Sequence, residues 1–275
     1  LTTAYETKTR LHIGHNTRYT PFIRQMRDLI LEDAIGEVKA IWCRHFIGND
    51  GDRCAKDCHI KRERSNGLSL QKATDDLNAM HWLTGSKTRN VVGMGEPLVY
   101  EKETGNGQVL TTSFSSENWP PEEQASLNEV IVVEDVSMLM AQLESGALVS
   151  YQQCRSTPGD WRSYTVIGTR GGMENLGNGE DGVIRLWDGH DPYDARGNRT
   201  IAIRDDGEDV DSLIVAEFLR FARTGVPANT SPLEAWQAVA TVLQATESLR
   251  DGSKPHHIPS LPTKLVEYFT NDQKT

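Results

Sequence analysis

The stretch LQKATDDLNAMHWLTG, residues 70–85, decides how the rest of the chain is read. Leu70, Ala73, Leu77, Met80 and Thr84 recur at helical spacing and form one stripe, while Lys72, Asp75, Asp76 and Ala79 fall on the opposite side. Gly85 suits the position just past a helix C-terminus. The segment therefore predicts a helix that packs one face into a core and shows a lysine and two adjacent carboxylates on the other. Three readings of that polar face stand open: the relic of a substrate site, an acid–base site put to new use, or an ordinary solvated surface.

Upstream, residues 1–9 read as the tail of a helix and RLHIGHN as a short strand. TPFIRQMRDLILED follows as a helix, with Thr20 as N-cap and Pro21 in the first helical position. EVKAIWCRHF alternates like a strand, and residues 48–66 read as a loop. Downstream come the strand-like runs RNVVGMGEPLVY, VEDVSMLMAQLE, ALVSYQQCR, SYTVIGT, GVIRLWD and TIAIRD, several separated by short turns that predict antiparallel hairpins. Two helices close the chain. The first carries Val210, Leu213, Ile214, Phe218 and Phe221 on one face; the second opens with a capping box, Ser231 to Glu234, and shows Trp236, Val239, Leu243 and Leu249. The fold class is α+β: an open, mostly antiparallel sheet with helices on one face. Its second face must meet solvent, substrate or another subunit.

A net charge of −10 without any basic run argues against nucleic acid and anionic membrane as partners. No apolar run approaches the roughly 20 residues of a membrane helix, so a cytoplasmic location is expected. The chain begins at Leu1, as a fragment or a processed protein would. Cys54, Cys58 and His59 lack the matching second pair of a zinc site, so no metal is expected. His256 and His257 read as an exposed tail. GNGEDG, residues 177–182, spells G-x-G-x-x-G, but an alternating strand follows it where a phosphate-binding motif needs a helix. It reads as a hairpin turn.

The order of blocks resembles the Gfo/Idh/MocA oxidoreductases, the glucose–fructose oxidoreductase and inositol dehydrogenase family. LHIGHNTRYTPFIRQMRDLILEDAIGEVKAI resembles the junction of that family's two domains, and SNGLSLQKATDDLNAMHWLTG the helix lining its substrate site. NWPPEEQASLN, WRSYTVIGTRGGMENLGNG and the closing helices continue the likeness. The resemblance implies that residues 1–17 are the end of a nucleotide-binding domain and residues 18–275 a substrate-binding and oligomerisation domain. It implies a small-molecule substrate, a sugar or polyol, and a homodimer through the open sheet face. The cofactor would be NAD(P), held by a Rossmann domain upstream of Leu1; none is expected in the chain itself.

The helix departs from the family pattern S-G-G-L-x-x-x-K-x-x-H-D-x-D. Lys72 and Asp76 match, whereas Asn66 replaces a glycine, Asp75 the histidine and Asn78 the last aspartate. The loop before the penultimate helix, DGEDVDS, also lacks its histidine. An ordinary aspartate, with pKa ~3.9, is too acidic to replace an imidazole as base. Adjacent like charges would raise one carboxyl, with Lys72 one turn away opposing the shift. The expectation is a substrate-binding half that cannot transfer hydride alone. The alternative is a cofactor-independent lyase, isomerase or cyclase using Lys72, Asp75 and Asp76. Asn78, Arg18, Tyr19, Trp161, Arg162 and Tyr164 are the candidate substrate contacts.

Overall fold

The computed structural model describes residues 1–48, 68–96, 134, 136–154, 157, 159–179, 181–188, 199–204, 207–271 and 273. Along them run α1 (Thr2–Thr7), a 3-10 turn (Asn16–Tyr19), α2 (Pro21–Leu31), β1 (Val38–Phe46), α3 (Leu68–Thr84), β2 (Thr88–Glu96), β3 (Val136–Leu143) and β4 (Leu148–Cys154). Then follow β5 (Trp161–Gly168), β6 (Gly172–Leu176), β7 (Val183–Trp187), β8 (Arg199–Ala202), α4 (Val210–Thr224), α5 (Pro232–Arg250), β9 (His256–His257) and α6 (Thr263–Thr270). The described strands form one sheet in the order β8-β7-β6-β5-β1-β4-β3-β2-β9. All the described pairings are antiparallel except that of β1 with β4. The class is the α+β open sheet that the alternating segments predict.

Strand alternation sorts the side chains. Ile41, Cys43, Val149, Tyr151, Tyr164, Val166, Met173 and Leu186 point inward and are buried beneath the helices. Their neighbours Trp42, Met138, Met140, Leu148 and Ile167 emerge on the opposite face and stay exposed. Tyr151 belongs to the inner set, because β4 pairs it with the buried Leu139.

Helix α3 is not half solvated. It packs against α5, α2, the 3-10 turn and strands β1 and β4, so it is covered nearly all round. Asp76, Asn78 and Ala79 are fully buried together with Leu77 and Met80. A stripe-and-solvent reading misses this because periodicity cannot see the second layer that lands on the polar side. Gly85 does end the helix, in a left-handed conformation.

Two local expectations change. Residues 8–15 form no strand; the Gln273 side chain takes both hydrogen bonds of Leu11's backbone, and no neighbouring strand offers a ladder. The His256–His257 tail instead pairs with the edge of β2. Helix α5 has its capping box, Ser231 with Glu234. It buries Ala235, Ala238, Val242 and Ala245, while Trp236, Val239 and Leu243 are only half covered. Phe218 of α4 is likewise exposed, and Phe221 alone of its predicted face is buried.

Candidate functional site

Strands β1 and β5 run antiparallel with His45 opposite Arg162 and Cys43 opposite Tyr164. These four project from the inner face toward α3. The helix delivers Asp76 into their midst, with no solvent exposure at all. Arg162 donates to Asp76 Oδ1 from Nε at 2.8 Å and from a terminal nitrogen at 2.5 Å, and the Tyr164 hydroxyl donates to the same oxygen. His45 Nδ1 donates to Oδ2 at 2.7 Å. Burial pushes the Asp76 carboxyl up, but the Arg162 charge and the His45 hydrogen bond outweigh it and hold the group down to about 2. The expected mutual repulsion of the two aspartates is therefore not what sets Asp76, and the cation that reaches it is Arg162. Lys72 lies exposed on the same helix. Burial raises Tyr164 and the Cys43 thiol well above their ordinary values, with the Asp76 charge adding to the shift. Both stay protonated.

Asp75, one residue back, turns about 100° away and is half-buried. It receives His15 Nδ1 at 2.5 Å. The His15 side chain is 11% exposed. Its Nε2 is buried and has no hydrogen-bond partner. Each of the paired aspartates thus carries a histidine from elsewhere in the chain, one from the segment before the 3-10 turn and one from β1.

Arg18 is buried and closes the junction between α3 and α5. Its Nε donates to Asn78 Oδ1 at 2.6 Å, one terminal nitrogen donates to the Asn229 carbonyl at 3.0 Å, and the other lies 3.3 Å from Glu234. Tyr19 donates its hydroxyl to Glu217, which also accepts the Asn229 N–H at 2.7 Å and meets His12 Nε2 at 3.2 Å. Arg18, Tyr19 and Asn78 therefore knit helices together beside the carboxylates. Trp161 is separated from the cluster: its indole N–H donates to Ser163 Oγ, and both belong to the outer face of β5, opposite to Arg162 and Tyr164. In DGEDVDS, Asp209 is the N-cap of α4, accepting from the Ser212 N–H at 3.0 Å. Cys54, Cys58, His59, Asn66 and NWPPEEQASLN lie outside the described residues.

The sequence reading missed His15 and His45. A signal existed for His45: it shares the parity of Ile41 and Cys43, so β1 had to turn it inward. His15 becomes visible only once the fold brings residues 60 positions apart together.

Chemically the cluster divides in two. Asp76, its lone pairs taken by four donated hydrogen bonds, is an anchor. Asp75 with His15 forms a carboxylate–imidazole pair with one ring nitrogen unused. Among the described residues no group of three or more histidine, cysteine or acidic side chains is arranged to hold a metal ion. The GNGEDG turn joins the antiparallel strands β6 and β7 and so offers no helix N-terminus to a pyrophosphate.

Comparison with known proteins gives a consistent picture. The sequence matches the GFO/IDH/MocA C-terminal domain over residues 23–174. It is 24% identical over 205 residues to YteT of Bacillus subtilis (strain 168), named as an oxidoreductase, covering 60% of this chain and 48% of that protein. The crystal structure of an oxidoreductase domain protein from Kribbella flavida superposes with a TM-score of 0.70 at 16% identity, covering 94% of this chain and 69% of the other. Levoglucosan dehydrogenase, solved with NADH and levoglucosan, gives a TM-score of 0.69 at 17% identity, covering 92% and 67%. The chain thus spans about half the length of the Bacillus relative and about two-thirds of these solved proteins.

Proposed function

Since this chain belongs to the GFO/IDH/MocA family, we propose that it is the substrate-binding and oligomerisation half of an NAD(P)-dependent sugar or polyol oxidoreductase, residues 18–275 forming that domain and residues 1–17 the end of a nucleotide-binding one. The observation that carries the reading is the paired-aspartate cluster on α3, a buried anchor at Asp76 beside a half-buried, histidine-bearing Asp75. Such a site offers a hydroxylated ligand both an acceptor and a fixed frame. Levoglucosan dehydrogenase, solved with NADH and a sugar, supports the substrate class. The run that spells the dinucleotide motif lies between two antiparallel strands, so no hydride step is assigned to the described residues.

Calorimetric titration of the 275-residue chain with glycerol, levoglucosan and neutral monosaccharides tests the reading. Binding of at least one is expected, together with no response to NADH or NADPH. Failure of every sugar and polyol to bind would overturn it. A second reading, a cofactor-independent lyase, isomerase or cyclase, is favoured by the two histidines gathered at the aspartates. Conversion of a bound sugar with no dinucleotide present, followed by proton NMR, would decide for it.

A further inference from the structure

We propose that His15 Nε2 accepts a hydrogen bond from a ligand hydroxyl, with Asp75 as the positioning residue that holds the ring. The inference rests on the sugar- or polyol-binding reading above. It restores to the site an imidazole that the helix has lost: position 75, where the family resemblance calls for histidine, is a carboxylate, and the ring that reaches it comes from the segment preceding the 3-10 turn.

The geometry fixes the roles. An ionised carboxylate can only accept, so His15 Nδ1, 2.5 Å from Asp75 Oδ1, must carry the hydrogen. In the neutral ring Nε2 is then left with a bare lone pair. That atom is buried and has no partner, an arrangement that folded proteins avoid unless something arrives to use it. A hydroxyl is the matching group. Its O–H donates a hydrogen bond to Nε2 and keeps its proton. The Nδ1–H bond to Asp75 fixes the ring so that Nε2 is presented to the ligand.

His45 does not fill this role. Its Nδ1 is held by Asp76 in the same fashion, but Asp76 is already neutralised by Arg162 and further bonded by Tyr164. Of these two rings, it is His15 whose second nitrogen is orphaned.

The test uses the 275-residue chain with 15N-labelled histidine rings, the His15 signals being assigned by their loss in His15→Gln. The expected result is the Nδ1–H tautomer at His15, and movement of its Nε2 resonance on adding glycerol or levoglucosan. His15→Gln should weaken binding of the ligand roughly tenfold, the order expected for losing one well-placed hydrogen bond. Asp75→Asn is close to isosteric, so it keeps the fold, which thermal melting verifies. Its neutral amide can either donate to Nδ1 or accept from it, so the hydrogen is no longer held on Nδ1 and the Nε2–H tautomer becomes populated; binding should fall. An Nε2–H tautomer in the unaltered chain, or unchanged affinity in both variants, overturns the inference while leaving the substrate-domain reading intact. If the unaltered chain binds none of the probes, that reading fails and the inference falls with it.

Discussion

Asp76 is a charge the fold buries completely, and it persists because four donated hydrogen bonds surround its two oxygens. Removing the charge strands Arg162. Asp76→Asn is expected to destabilise the chain by about 3–5 kcal/mol, the usual consequence of leaving one member of a buried ion pair uncompensated; urea denaturation at neutral pH measures it. The carboxyl sits at about 2 in the fold, against 3.8 when free. Its contribution of roughly 2 kcal/mol is present above pH 4 and lost as pH falls toward 2. His81 acts earlier on the acid side. Burial, aided by the Arg18 charge, lowers its imidazole from 6.5 to about 3, and its Nε2 lies 2.8 Å from Thr88 Oγ1. Between those values the unfolded chain takes up a proton that the native chain refuses. Stability is therefore unaffected by this group above pH 6.5 and falls by up to ~1.4 kcal/mol per pH unit below it. His81→Gln should flatten that limb in melts taken from pH 7 to pH 4. An equal slope in the variant would show that other groups drive acid unfolding.

Elements explain which features were legible in the sequence. Most strands announced themselves because alternation is a local property: Met138, Leu139, Met140 and Ala141 point out, in, out and in, whereas the short β6 and β9 gave no such run. The capping box of α5 was equally local. What escaped depends on pairing between distant segments. The all-round burial of α3 comes from a layer that its own periodicity does not encode, so periodicity places Asp76 only on the side away from the core stripe. Trp161 and Arg162 were grouped as site residues although adjacent strand positions face opposite ways. The fit of α5 to β2 is also non-local. A Cβ on Gly93 would lie 2.1 Å from the Ala245 carbonyl oxygen, and the Gly93 N–H meets Ser248 Oγ at 3.0 Å. Helix and strand touch backbone to backbone, which is why α5 lines this contact with alanine and not with its larger apolar residues. Gly93→Ala must push the helix away and is expected to cost about 1–3 kcal/mol, read as a lower melting temperature. An unchanged melt would show that the contact is looser than drawn.

At the scale of the whole molecule, the helices cover one face of the sheet, and among the described residues nothing covers the other. Met94, Met138, Met140 and Leu148 are 58%, 50%, 62% and 58% exposed. Register places Met94 beside Met138 and sets Met140 and Trp42 on either side of Ser150, so the residues form one band across β2, β3, β4 and β1. The band runs into a hollow of about 600 Å3 lined in part by Trp42, Arg44, Gln152, Ile167 and Trp187. Gln142 and Gln152 add polar groups without interrupting the apolar path. A continuous apolar surface of this kind is uncommon on a soluble monomer. We propose a second copy of the chain as its occupant, since a two-fold axis lets one self-complementary face bury itself. The expected solution mass is about twice the 30.7 kDa of one chain, by light scattering at micromolar concentration. Met138→Lys with Met140→Lys puts like charges on both sides of the proposed axis and should return the mass to that of one chain. Because both methionines are exposed within a single chain, melting of the dissociated variant should still be cooperative; a dimer that survives the two lysines would place the interface on another surface.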